Sequence, residues 1–322
     1  MGKYVIKRLL MTLLVMLIAS IVIFTLVYFV SGEPARVILG AAATEEEIAK
    51  LNHSLGLDQP YLVQLGSFLY NAFIRMDLGN SWIRGQGVMD GLLTRLPYTL
   101  IMGISMVLLS ALVGIPLGVV AAIHQNKWQD RVATTVAMFC ISVPDFWLAL
   151  MMIRIFALDL GWLPAFGLSG ITSFIMPIVA GSINGIGTLE RQTRSSMLEI
   201  IRSDFVTTAR AKGVKESVVI YKHMLKNALI PVLTVLGAAL TKAISGVVII
   251  EQIFSLPGIG TYLTGGIGTR DYPIIRGCVI ILAVFTSLMM LIVDLGYAAV
   301  DPRIKAQYKS QKIRLRKTKA VE

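Results

Sequence analysis

Six long apolar stretches divide this chain, each bounded by polar or charged residues: 9–30, 98–123, 132–153, 171–189, 227–250 and 274–293. A helix needs about 20 mainly apolar residues to cross a bilayer core. The pattern therefore predicts an all-α integral membrane protein with six transmembrane helices. The first stretch carries no charge, follows Lys3, Lys7 and Arg8, and is longer than a signal-peptide core. It is expected to remain as an uncleaved first span, with the N-terminus in the cytoplasm. The third is interrupted at Pro144-Asp145, and the fifth carries Lys242.

The segments between the spans have their own patterns. Residues 31–97 form a sizeable external segment, in which Thr44 and Glu47 have capping-box spacing. There Leu62, Leu65, Leu69, Ala72 and Met76 recur at helical spacing, so 61–76 is expected as an amphipathic helix. It would either lie on the membrane and over the outer mouth or contact an external partner. Residues 251–273 hold five glycines, which predicts tight, non-helical backbone dipping into the outer mouth. The expected organisation is 1–30 for the N-terminus and first span, 31–97 outside, 98–302 as a five-span core, and 303–322 as a basic, partly disordered cytoplasmic tail.

Charge orients this layout. The chain has 322 residues, is 55% hydrophobic and has a net charge of +11. Of its 30 Lys and Arg residues, 21 fall in segments that six spans put on the side of the N-terminus. That asymmetry makes this side cytoplasmic. It also explains the basic balance by topology and contact with membrane lipid, without nucleic acid.

Chemistry is sparse. Cys140 and Cys278 lie in apolar spans, and His53, His124 and His223 are too scattered to hold a metal. The chain has no P-loop, no nucleophile elbow and no zinc-protease motif. It is expected to be a pathway subunit and not an enzyme, with no cofactor of its own.

The loop 190–226 between the fourth and fifth spans stands out. Within 203–231, Ser203 or Asp204 can cap a short helix that Gly213 ends. A second run follows, with Val218, Tyr221, Leu225 and Ala228 at helical spacing, and Pro231 sits at the entry to the next span. Such order in a connecting loop points to docking of a soluble partner.

This stretch resembles the signature cytoplasmic loop of permease subunits of bacterial ABC importers. That pattern is Glu-Ala-Ala, three residues, then Gly. Thr207, Thr208, Ala209 and Gly213 match its positions, and the Glu is missing. The run Thr208, Ala209, Arg210, Ala211, Lys212, Gly213, with His223 and Pro231 beyond it, looks like the dipeptide, oligopeptide and nickel branch. Similar motifs recur in order: Gly32-Glu33-Pro34, Asp77-Leu78-Gly79, Arg191 with Arg194, Glu251 to Ser255, Arg270-Asp271-Tyr272-Pro273, and Asp301-Pro302-Arg303. The short external turn after the third span looks more like nickel and opine members. The resemblance implies a coupling-helix loop in which Asp204, Thr207 to Gly213 and His223 dock an ATPase. It further implies a second permease subunit, two ATPase subunits or domains that hold ATP and Mg, and an external substrate-binding protein. Peptides would be the substrate, with nickel chelates or opines as the alternative. A self-contained secondary transporter is the rival reading, and the sequence shows no internal repeat to support it.

Polar residues in or beside the spans are candidates for the pathway: Asp145, Asn184, Lys242, Glu251, Arg270 and Asp271. Intramembrane charge is costly unless paired or hydrated. Lys242 would either snorkel or pair, or else line a hydrated path.

Overall fold

In the computed structural model of the chain, residues 2–30, 34–40 and 42–300 are described. The expected basic tail past Arg303, Gly32 and Glu33 lie outside them. Helix α1, Gly2–Phe29, contains the first span. Three short helices follow: α2, Pro34–Leu39, α3, Glu45–Ser54, and α4, Tyr61–Phe73. The capping box at α3 is present, with the Thr44 side chain accepting from Glu47 N–H and the Glu47 carboxylate accepting from Thr44 N–H. Those hydrogen bonds hold the Glu47 carboxyl below its ordinary range.

The apolar stripe of α4 differs in phase from the expected one. Tyr61, Phe68 and Ala72 turn inward, while Leu62 and Met76 are exposed. The aromatic rings set this phase. Phe24 and Tyr28 of α1 stack or tilt against Tyr61 and Phe68, with centroids 5.1–5.8 Å apart, and the Thr25 and Tyr61 hydroxyls share a 2.7 Å hydrogen bond.

Helix α5, Val88–Ile123, begins ten residues before the expected second span, so 88–97 is helical. α6, Trp128–Ser142, and α7, Asp145–Met152, continued by a π-helical stretch Ile153–Asp159, meet at a bend of 95°. Pro144 causes the break: it has no N–H to donate, and it holds Val143 in extended backbone. A 3-10 turn, Ile171–Phe174, leads into α8, Ile175–Ile201. After α9, Asp204–Ala211, the chain is helical from Glu216: α10, Glu216–Val218, a π-helical turn Val219–Met224, and α11, Leu225–Ile253. α12, Ile259–Thr269, and α13, Tyr272–Val300, are the last described elements. Among the described residues five helices are long and apolar enough to cross a membrane, or six spans if the bent pair α6–α7 counts as one.

Three expectations are corrected here. The fourth span does not end at Leu189, because α8 runs on through Glu190 and Arg194 to Ile201. The second docking helix is not separate from the fifth span, and Pro231 lies inside α11. The glycine-rich segment is largely helical, as α12.

Two compact units share the chain. One comprises Met1–Met102, Phe156–Pro177 and Ile244–Ser287. Its core packs Val88 and Leu92 of α5, Ile259 and Tyr262 of α12, and Ile274 and Cys278 of α13. The other comprises Gly103–Ile155, Ile178–Ala243 and Leu288–Glu322. There α5 and α8 meet through Gly114 and Gly118. A Cβ at Gly114 would lie 2.6 Å from the Ile186 carbonyl oxygen, and one at Gly118 would lie 2.5 Å from that of Glu190. Small residues permit such close approach between membrane helices. A Gly118→Val substitution meets backbone that cannot rotate away. It should lower stability by at least the ~1–3 kcal/mol typical of overpacking, read as a drop in melting temperature in detergent; an unchanged midpoint would refute this contact.

Candidate functional site: the docking hairpin and its support

The stretch after α8 folds into a helical hairpin closed by hydrogen bonds. Ser203 is the N-cap of α9 by position, but its hydroxyl donates back to the Ile200 carbonyl (2.6 Å) instead of capping the helix. At the other end Gly213 takes φ +73°, a left-handed conformation that glycine enters without a Cβ penalty. Its N–H donates to the Arg210 carbonyl (2.9 Å), and the Val214 N–H to the Ala209 carbonyl (3.2 Å). That pair of bonds is a Schellman closure. Arg210 then reaches across the turn and donates from Nη2 to Glu216 Oε1 at 2.6 Å and from Nε to Oε2 at 3.2 Å. This contact pushes the Arg210 guanidinium further up from its already high range. The pair is partly exposed, so it contributes about 0–1 kcal/mol, and it ties the two arms together.

One face of the hairpin is anchored. Val206, Val219 and Met224 are buried with Val119, Ala122, Met197 and Ala228, and Ala209 packs half-buried against them. The opposite face is exposed: Asp204, Thr207, Thr208, Arg210, Ala211, Lys212 and Gly213 all stand open, and His223 is half-buried. The structure thus places Asp204 and Thr207 to Gly213 on α9 and the turn that ends it, with Ala209 turned toward the protein's own core, and His223 on the second arm, in the turn Val219–Met224. Phe205, 45% exposed, flanks them as an apolar side chain that periodicity did not single out, and Tyr221, from the run at helical spacing, is 62% exposed. A phenylalanine inside an otherwise polar exposed helix is the signal that marks the first.

The same unit holds a polar cluster that the sequence pattern did not reveal. Asp130, in the first turn of α6, accepts from Arg194 Nε and Nη2 at 2.6 and 2.9 Å and from the Asn126 N–H at 2.8 Å. Glu190 is fully buried one turn before Arg194, and neither of its carboxylate oxygens has a hydrogen-bond partner. An ion pair 64 residues apart in sequence is invisible to local pattern.

The pathway candidates fall in both units. Glu251 and Asp271 are enclosed, with 0% and 1% exposure. Glu251 accepts from the Thr99 hydroxyl (2.6 Å) and the Gly260 and Thr261 N–H groups (2.7 and 3.3 Å), and Thr99 in turn accepts from the Ile259 N–H (2.9 Å). The side chains of Glu251 and Thr99 therefore cap the first turn of α12, where a carboxylate is favoured by free N–H groups and the helix dipole. Asp271 accepts from the Ser81 hydroxyl and the Trp82 and Ile83 N–H groups, pinning the loop before α5 to the start of α13. Arg270 is exposed and left-handed at the end of α12. In the other unit, Asn184 donates to the Ile141 carbonyl at 3.3 Å, meeting an acceptor near the break at Pro144. Asp145 is half-buried in the first turn of α7. Lys242 lies in α11 at a position whose side chain is outside the description.

Among the described residues, several apolar helices long enough to cross a membrane, with an exposed hairpin between two of the long ones, mark a multi-pass membrane protein. Residues 114–306 match the binding-protein-dependent transport system inner membrane component, and residues 1–103 match the N-terminal membrane component of such systems. The chain belongs to this family of transport-system membrane subunits. It is 39% identical to a dipeptide transport system permease protein, DppB, of Alkalihalophilus pseudofirmus, over 95% of this chain and 100% of that protein. It is 39% identical to a putative peptide transport system permease protein of Brucella abortus (95% and 99% covered). With a glutathione transport system permease protein, GsiC, of Salmonella choleraesuis it shares 36% (95% and 99% covered). In fold it is similar to a chain of the MetNI methionine ABC transporter, with a TM-score of 0.57, 19% identity, and 66% of this chain and 97% of that one covered.

Proposed function

We propose that this chain is the permease subunit of an ATP-driven importer of di- and oligopeptides in the bacterial inner membrane, with both termini in the cytoplasm. It would pair with a second permease to enclose the pathway. Two ATPase subunits, carrying ATP and Mg, would dock on the hairpin, and an extracytoplasmic binding protein would deliver the substrate. The observation that carries this reading is the exposed face of α9, closed at Gly213 and buttressed by Val206, in a chain whose relatives are named as peptide permeases. Asp204, Thr207, Thr208, Arg210, Ala211 and Lys212 are its docking residues. A Glu-Ala-Ala pattern is not needed for such docking, because the small exposed residue is supplied by Ala211.

Reconstitution tests the proposal. Vesicles containing the complete set of subunits should accumulate a labelled dipeptide when ATP is supplied, and vesicles with this chain alone should not. Accumulation by the chain alone would overturn it. Uptake of a nickel chelate in preference to every peptide offered would overturn the substrate assignment.

A further inference from the structure

Arg276, in the second turn of α13, is the ionisable residue that neither the docking hairpin nor the buried carboxylates account for. Its guanidinium carbon lies 4.2 Å from the ring centre of Phe24 and 5.5 Å from that of Phe68. Its Nε–H is buried and has no acceptor. Ring faces stabilise the positive charge, but they do not satisfy its planar set of donors. Arg276 is half-buried overall, and its planar donors suit an anion in the space beside it.

The space beside the guanidinium can hold one. A cavity of about 330 Å³ is lined by Arg276, Phe24 and Phe68, and by the polar side chains of Ser67, Asn71 and Asp77. Depth then identifies the ligand class. Phe24 lies about 7–8 Å along α1 from the end of its span at Phe29, and Arg276 lies about 6 Å from the start of its own at Tyr272. Both therefore sit just below a membrane boundary, where headgroup phosphates meet acyl chains. The surroundings agree: α1 leaves most of its apolar surface exposed, and Val63, on the cavity wall, is 53% exposed beside Leu62 at 75%. An acyl chain has a surface to follow away from the cavity. Asp77 places a carboxylate on the same wall, which disfavours a headgroup of net negative charge and suits one with an ammonium.

We infer that this cavity binds the headgroup of a zwitterionic phospholipid, its phosphate on Arg276 and its ammonium toward Asp77. The lipid would join α1 and α4 to α13 in the assembled membrane protein. An arginine at a span end most often snorkels or pairs in its own chain; here its guanidinium instead lies against the Phe24 ring at the wall of a polar cavity.

Native mass spectrometry of the full-length chain in detergent, with phosphatidylethanolamine, phosphatidylglycerol and dialanine as probes, tests this. Wild type should retain one phosphatidylethanolamine in preference to phosphatidylglycerol. Arg276→Gln should weaken that retention about tenfold, and Arg276→Lys should restore part of it, since a point charge replaces a fork. Ser67→Trp, which fills the cavity and keeps the arginine, covers the case in which Arg276→Gln folds poorly, and it too should lose the lipid. Equal retention in wild type and Ser67→Trp, or displacement of the lipid by dialanine, would overturn the inference. These outcomes are read without transport, so they are independent of the proposed substrate.

Discussion

Gly258→Ala should be among the most damaging single-methyl additions this protein can receive. A Cβ there would lie 2.0 Å from Glu251 Cδ and 2.1 and 2.2 Å from its two oxygens. The backbone of Gly258 is ordinary extended chain, φ −94° and ψ −179°, so the penalty is entirely steric. The Glu251 side chain would have to leave, and with it the acceptor for the Thr99 hydroxyl and the Gly260 and Thr261 N–H groups. Each buried donor left unsatisfied costs about 1–3 kcal/mol, and three would lose their acceptor together. The expected result is a loss of ~3–5 kcal/mol in the unit that contains α12, seen as a lowered melting temperature and reduced membrane yield. Glu251→Ala should have an effect of the same order. Gly265→Ala is the control: it lies in the same helix, its Cβ would meet nothing within 4 Å, and alanine is the better helix former. It should be neutral or stabilising. If Gly258→Ala and Gly265→Ala behave alike, Glu251 does not hold this turn together.

That contrast explains the expectation that failed. From sequence, five glycines in 251–273 predict irregular backbone, because glycine relieves conformational restriction. In the structure Gly258, Gly260 and Gly266 serve another use of the residue: a Cβ at each would collide with Glu251, Val248 or Ile274. Which use applies is a tertiary fact that a local pattern does not carry. The fourth span was misjudged for a related reason. Glu190 and Arg194 read as the start of a solvated loop, yet α8 continues because Arg194 pairs with Asp130 and Gly118 admits the helix at Glu190. Elements that rest on local physics were legible: the six apolar stretches, the capping box at Thr44, the break at Pro144 and the left-handed Gly213. The turn at Gly213 between the two helical arms was legible because glycine closure is local too; the inward turn of Ala209 and the exposure of Phe205 were not.

The largest functional effect is expected at that hairpin. Ala211→Trp puts a bulky side chain on the exposed face of α9, away from the buried cluster around Val206. Ala209→Trp is a poorer probe, because Ala209 packs half-buried with Val206 and the permease itself would be disturbed. Gly213→Val acts by a different route. Its Cβ would meet nothing within 4 Å, so no clash arises, but φ +73° costs a non-glycine residue about 1–2 kcal/mol and a β-branched one at least that. Relief of that strain would open the Schellman closure and swing the Arg210–Glu216 arm. Asn tolerates the left-handed region, so Gly213→Asn should remain near wild type. Loss of a central contact in an interface costs 2 kcal/mol or more, so ATPase retained on the purified permease should fall by roughly 30-fold or more in Ala211→Trp, and dipeptide import should fall with it. In Gly213→Val the ATPase should bind weakly or hydrolyse ATP without import. Membrane levels of all three variants should match wild type, since the substituted positions lie on the exposed face or in the turn. Tyr70→Ala, which removes an exposed aromatic from α4, should leave ATPase binding and coupled hydrolysis unchanged. Normal coupling and import in both Ala211→Trp and Gly213→Val would show that the hairpin does not transmit ATP hydrolysis to the membrane helices.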